Sequence, residues 1–324
     1  MKAIRAHWSF DLLGGCFGIA IALGLVRFDF GIIGNLMADA QWIDVEDIGT
    51  LAAINMAGYL TGCIQQATVK SRETSIRYVR FAMITIIASI VLEGQSTSFT
   101  SQSILRLLCG WGAAHVVSGL PTLALERVPE RWRRKATGMI MSGGGIGSLL
   151  GAVCIGFFAP ESAPSAWNVL AALTVVLSLP TLALLKRRKQ LPKPAIEPLT
   201  DSAKKKTSYF SKRKLNQLIL IIILGFALMQ VGQVPVVLYE PLIAIDRIGV
   251  KPMMASNMDS LFGIGLIIGG LVPSVVPSKL TTSLFLAVIA AVGLAGMILF
   301  GISNHLVVLS ISIFLVGVWD MMTG

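Results

Sequence analysis

Ionisable and amide side chains lie deep inside otherwise apolar stretches of this 324-residue chain, and the chemistry open to them is solute binding and proton transfer. A charge at mid-membrane depth costs about 2.5–3.5 kcal/mol on insertion scales, so each one needs a compensating role. Arg27 lies about ten residues from the outer end of the first stretch, roughly 15 Å deep by helical rise. Gly24, Gly31 and Gly34 share its helical face and leave room for a long side chain or a ligand. Asp29 follows at about 200° of rotation, on a face with Leu25, Ile32 and Leu36. Asn55, Gly58, Tyr59 and Gly62 are spaced i, i+3, i+4 and i+7, and Gln65 and Gln66 extend that polar stripe. Arg106 sits roughly 9 Å inside the fourth stretch. Gly110 and Ala113 share its face, whereas His115 points the opposite way, as a packed or lipid-side histidine. Gln230 and Gln233 form a further polar face at i, i+3, and Asp259 reaches a depth like that of Arg106.

These positions give a set of expectations. Arg27, Asn55, Tyr59, Arg106, Gln230 and Gln233 are candidate solute-binding residues, and Asp259 and Asp29 are candidate proton carriers. Arg27, Asn55, Arg106 and Asp259 are expected to form one polar layer; the structural alternative makes Arg27 and Asp259 a static ion pair. Two arginines against one carboxylate suit an anionic or acid-bearing solute. The chain shows no catalytic signature. His7, His115 and His305 are scattered, and no HExxH, GxSxG, Cys/His cluster or phosphate-binding GxxxxGK[ST] occurs. The reading is therefore neither an enzyme nor an ATP-driven pump, with no cofactor and no metal.

Composition dictates what positions these groups. Hydrophobic residues make up 54% of the chain, charged residues only 14%, and mean hydropathy is +0.76. Soluble domains carry about 25% charged residues. The net charge of +10 does not point to nucleic acid, because the Lys and Arg are confined to alternate loops between apolar runs. Cys16, Cys63, Cys109 and Cys154 all fall inside apolar stretches and read as small core residues. The first stretch is too long for a cleaved leader.

Ten transmembrane helices are expected, near 9–37, 48–69, 78–97, 101–125, 136–159, 166–185, 215–244, 253–276, 281–302 and 305–322. Trp8, Trp42, Trp132 and Trp167 fall near span ends, where indole rings favour the headgroup level. One set of loops carries Lys70, Arg72, Arg77 and Arg80, then Arg127, Arg131, Arg133, Arg134 and Lys135, then Lys186–Lys189 and Lys204–Lys206. The first opposite loop holds Asp39, Asp44, Glu46 and Asp47 instead. The basic side is read as cytoplasmic, with the N-terminus inside. The Pro- and Lys-rich segment 186–214 divides an N-terminal six-helix half, 1–185, from four helices over 215–324. Gly143, Gly147 and Gly151 make a small-residue ridge in span five, answered by Gly265 and Gly269 in span eight; these are expected to pack together and to slide.

The sequence here resembles the major facilitator superfamily. Arg106-Leu-Leu-Cys-Gly110-Trp-Gly112-Ala113-Ala114 looks like that superfamily's fourth-helix motif, and the glycines from Gly138 to Gly151 are similar to its antiporter-type fifth helix without the Gly-Pro step. Gly24-Leu-Val-Arg27-Phe28 and Asn55-Met-Ala-Gly58-Tyr59-Leu60 resemble the bacterial YbfB/YjiJ-like branch. Asp29 stands where that branch usually has Ala, Ile32 and Asn35 replace its prolines, and the loop Val69–Arg77 lacks the superfamily's Gly-x-x-x-Asp-Arg-x-Gly-Arg gating motif. The resemblance implies an all-α integral membrane bundle with about ten of twelve helices present, a central cavity, and a proton-coupled carrier of a small solute. The expected setting is the bacterial cytoplasmic (inner) membrane, as a multi-pass protein that is monomeric when full length and has no nucleic-acid partner. The implied mode is antiport, that is, export by alternating access. The rival expectation is a truncated, non-transporting membrane protein with at most a binding or sensing role. In that case span two lacks an eleventh helix to pack on, and its Gly58/Gly62 face lies open to lipid or another chain. Orientation is testable directly: a single cysteine placed in the Lys186–Lys214 loop of a cysteine-free variant should resist an impermeant thiol reagent in intact cells and react after lysis.

Overall fold

A computed structural model describes residues 2–159, 161–190, 212–276 and 282–323, so most of the expected linker, 191–211, lies outside the described residues. Among the described residues every regular element is a helix. The first long segment is α1 (Lys2–Ile19), a π-helix (Ala20–Phe28) and α2 (Phe30–Asp39) in direct succession. Then come α3 (Val45–Ala67), α4 (Arg72–Glu93), α5 (Phe99–Leu125), and α6 (Glu130–Met141) leading into α7 (Gly143–Phe158). They are followed by α8 (Ala163–Gln190), α9 (Lys212–Ile248), α10 (Pro252–Val275), α11 (Thr282–Ile302) and α12 (Leu306–Thr323).

Seven described segments are long and apolar enough to cross a membrane: Trp8–Asp39, Arg72–Glu93, Phe99–Leu125, Glu130–Phe158, Ala163–Gln190, Asn257–Val275 and Leu284–Ile302. Helices also occupy the other three expected positions. In α3 the acidic first turn, Glu46 and Asp47, and the polar stripe from Asn55 to Gln66 dilute its hydropathy. The apolar part of α12 is short, Leu306–Met322. Local chemistry fixes the helix starts. Asp47 reaches back to accept from the Asp44 N–H at 3.1 Å at the head of α3, and Ser71 Oγ accepts from Thr74 N–H at 3.0 Å at the head of α4.

Glycine brings helix backbones into contact. A Cβ on Gly58 would strike the Leu107 carbonyl and one on Gly110 the Asn55 carbonyl, so α3 and α5 touch main chain to main chain. Gly62 faces Trp111 and Ala114 on the same helix. The Gly58/Gly62 face is therefore covered by α5 and not open to lipid, which corrects the expectation from sequence. The ridge is also re-assigned. Gly143 abuts the Cys16 carbonyl, Gly147 the Ala20 carbonyl, and Gly151 the Asp29 carboxylate, so Gly143, Gly147 and Gly151 pack on the first segment. Gly265 and Gly269 pack on Phe314 and Val318 of α12. Helices α7 and α10 do pack together, but through Gly145, Gly263 and Gly270: a Cβ on Gly145 would lie 2.5 Å from the Gly263 carbonyl, and Gly270 abuts the Ser142 backbone. Spacing along one helix shows which residues share a face, not which neighbour that face meets. Arg134 Nε donates to the Pro273 carbonyl at 2.8 Å and ties α6 to the end of α10.

Overpacking typically costs about 1–3 kcal/mol. Gly110→Ala should therefore lower the thermal midpoint of the detergent-solubilised protein, whereas Gly301→Ala, with nothing within 4 Å, should leave it unchanged or raise it slightly.

Candidate functional site

The polar interior is organised around Arg106, in the first third of α5. Its Nε and Nη2 both donate to the Glu93 carboxylate at 2.5 Å, and both side chains are fully buried. Nη1 donates to the Val26 carbonyl at 3.0 Å, and Asn55 Nδ2 donates to the Arg106 carbonyl at 2.9 Å. The guanidinium also lies 4.6 Å from the Phe30 ring centroid and 5.2 Å from that of Trp167. Arg106 thus joins α3, α4, α5, α8 and the first segment. It was expected as a solute ligand; its charge is balanced by Glu93, the last residue of α4, which was not among the residues singled out from sequence. Trp167, near the start of α8, is buried beneath the guanidinium.

Val26 belongs to the π-helix, where the hydrogen-bond span lengthens to five residues: Asp29 N–H donates to the Gly24 carbonyl at 3.1 Å. This wider turn sets Arg27 and Asp29 on their separate courses. Arg27, only partly buried, enters a cavity lined with Val26, Phe30, Asn55, Met56, Arg106, Gln233 and neighbouring apolar residues. The cavity measures ≈ 30 Å³, room for water but not for an organic solute. Its walls come from the first segment, α3, α5 and α9, so helices on both sides of the linker meet here. The structure therefore brings together Arg27, Asn55, Arg106 and Gln233. Tyr59 is half-buried outside that lining, within electrostatic reach of Arg27. The Gln230 side chain lies outside the described residues.

Asp259 departs from the expected layer. It is buried in α10 and is not part of the cavity lining, and it lies within electrostatic reach of Asp29 and of Glu240 of α9. All three carboxyl groups are almost wholly buried, and neither oxygen of Asp29 nor of Glu240 has a hydrogen-bond partner among the described residues. Asp29 rests against Gly151, beside Ser148 on α7. Just before it, Phe28 meets Phe262 of α10 edge to face at 5.2 Å. Glu240 was missed in the sequence because it sits between prolines in Val-Leu-Tyr-Glu240-Pro, which reads as a span end. Among the described residues no group of three or more His, Cys, Asp or Glu side chains is placed to hold a metal ion.

A second charged cluster sits at the end of the bundle that carries the basic loops. Arg188 Nη2 donates to Asp11 at 2.7 Å and its Nη1 lies 3.6 Å from Glu126, which accepts a bidentate pair from Arg72 at 2.7 and 3.0 Å. Arg188, read from sequence as a loop charge, is fully buried in this network.

Residues 19–324 match the family described as uncharacterised MFS-type transporter YbfB. The chain belongs to this family. No curated protein gives a significant match. Among solved structures, the crystal structure of a D-xylose–proton symporter superposes with a TM-score of 0.64 at 15% identity, covering 98% of this chain and 80% of that one. A bacterial homologue of the human lysosomal transporter Spinster, inward-facing and unoccupied, gives 0.63 at 15% identity over 100% and 74%. The inward-open xylose transporter of E. coli gives 0.60 at 13% over 98% and 80%. The shared fold is that of major facilitator transporters, which accounts for a multi-pass helical bundle built around a central cavity.

Removing one partner of a buried ion pair costs about 3–5 kcal/mol, more than replacing both with apolar residues of similar volume. Glu93→Met and Arg106→Met should each lower thermal stability strongly, and the double variant should recover a large part of the loss.

Proposed function

We propose that the protein is a secondary transporter that moves an anionic or acid-bearing small solute by alternating access, as a proton-coupled exporter of the antiporter type. The single observation that supports this most is the cavity where Arg27 and Asn55 from one side of the linker meet Gln233 from the other. Arg27 supplies the cation for a solute carboxylate, and Asn55 and Gln233 supply directional hydrogen bonds; Tyr59 stands behind Arg27. Because ≈ 30 Å³ admits no solute, binding requires the walls to part, which is the motion alternating access demands. Proton carriage falls to the carboxyl groups behind the cavity, Asp259 with Glu240 on one side and Asp29 on the other.

The two-sided arrangement has an internal echo that supports halves at 1–185 and 215–324. The glycine contact joining α3 to α5 recurs where Gly265 and Gly317 join α10 to α12, the second and fourth helices after the linker. In this reading the basic loops and the N-terminus face the cytoplasm of a bacterial cell, and one chain is the working unit.

The test is a proteoliposome assay in which a panel of organic acids is screened for solute-evoked proton flux with an internal pH dye. At least one acid should evoke flux. Arg27→Ala should abolish it while the protein inserts normally, and Asp259→Asn should retain solute exchange but lose proton-driven accumulation. Flux at parental levels in either variant refutes the assignment, and poor membrane accumulation of both favours a purely structural role.

A further inference from the structure

Outside the cavity, His115 of α5 lies fully buried in a polar network at the α3–α4–α5 junction. Its Nε2 is 3.0 Å from Gln65 Oε1 and its Nδ1 2.7 Å from Gln66 Oε1. The Tyr78 ring stacks on the imidazole at 4.9 Å and 6°, and Trp111 meets it edge-on at 4.6 Å. Of the two placements expected from sequence, packed or lipid-facing, the structure shows the packed one. No cation or carboxylate is among these contacts: the imidazole faces two amides from α3, a phenol from α4 and an indole from its own helix.

The donor inventory decides the protonation pattern. Trp111 Nε1 can only donate, and it lies 2.8 Å from the same Gln65 oxygen, while Gln65 Nε2 donates to Tyr78 OH at 3.2 Å. The Gln65 amide therefore cannot be turned over, its oxygen faces His115, and Nε2 must carry a hydrogen. The other side is free to choose. Gln66 bridges Nδ1 to the Ser75 hydroxyl, 3.5 Å from its Nε2, and a hydroxyl both donates and accepts. With the amide oxygen toward Nδ1, the network is complete for an imidazolium, whose charge the Tyr78 face also favours. With the amide reversed, Gln66 Nε2 donates to a bare Nδ1 and its oxygen accepts from Ser75, and the network is complete for neutral imidazole.

We infer that His115 is a proton-binding site separate from the cavity carboxylates, neutral as the Nε2–H tautomer and accepting a second proton at Nδ1 by a turn of the Gln66 amide. A groove of ≈ 290 Å³ lined by Thr74, Arg77, Tyr78 and Phe81 brings the surface to the Tyr78 ring, and it lies at the end of the bundle with the basic loops. Proton occupancy would thereby alter how α4 is held against α3 without any solute in the cavity. The inference does not depend on the transported solute or its coupling.

The experiment is nitrogen NMR of the full chain labelled with 15N-histidine in lipid nanodiscs, titrated between about pH 8 and pH 5. The chain has three histidines, and the His115 signals are those missing from His115→Gln. At the alkaline end Nε2 should be protonated and Nδ1 bare, and at the acidic end both should carry hydrogens, reversibly, with the near-ultraviolet circular dichroism unchanged. Gln66→Met should lose the doubly protonated signature over the same range, and Gln66→Glu should keep it at pH values where the parent is neutral. An Nδ1–H tautomer at high pH, absence of the second proton by the acidic end in a folded parent, or parental titration in both Gln66 variants overturns the inference; the parent spectra decide the first two even if a variant fails to fold.

Discussion

A buried guanidinium needs partners supplied by the protein, and Glu93 is the principal one for Arg106 in the interior of the bundle. The pair does more than neutralise itself. Its remaining nitrogen holds the Val26 carbonyl of the first segment, its backbone carbonyl holds Asn55, and its flat faces are covered by Phe30 and Trp167. Four helices and the π-helix are thereby referenced to one side chain. The positions of Arg27 and Asp29 follow, because they lie one and three residues beyond the carbonyl that Arg106 grips.

Hydrocarbon offers little hydrophobic drive between helices, so close packing of main chains must supply it. The glycines do this at four junctions: α3 with α5, the first segment with α7, α10 with α7, and α10 with α12. A Cβ at most of these points would meet backbone and not a side chain that could swing aside. The α7 helix is the pivot of the arrangement, with one glycine face on the first segment and another on α10. Helices that meet through flat, small faces can shift against one another without unlocking side chains, which suits a carrier.

The buried charge is divided by kind. Fully buried cations are held by carboxylates, Arg106 by Glu93 and Arg188 by Asp11 and Glu126. Carboxyl groups without such partners collect instead at one place, where Asp29, Asp259 and Glu240 approach from three helices. Like charges repel strongly in a dry interior, so carboxyl groups within electrostatic reach of one another are costly to keep ionised together. His115 stands apart from both groups, satisfied entirely by neutral neighbours.

The sequence by itself determined the helical membrane character, the order of the segments and the family. Each of those rests on local quantities: run length, hydropathy, loop charge, and short motifs such as Asn55-x-x-Gly58-Tyr59 within one helix. It also marked Arg27, Asn55 and Gln233, which do share a cavity, because a polar residue in an apolar run is conspicuous wherever it occurs. Partnership was decided only in three dimensions. Glu93 was not singled out within its apolar stretch, and only the fold sets it beside Arg106, thirteen residues along and on the next helix. Glu240 was masked by its prolines, the Gly143 ridge faced the first segment and not α10, and Asp259 lay with Asp29 and not with Arg27. Helical periodicity states which residues share a face; which helix that face meets depends on how the other helices pack around it, and that is a property of the assembled bundle alone.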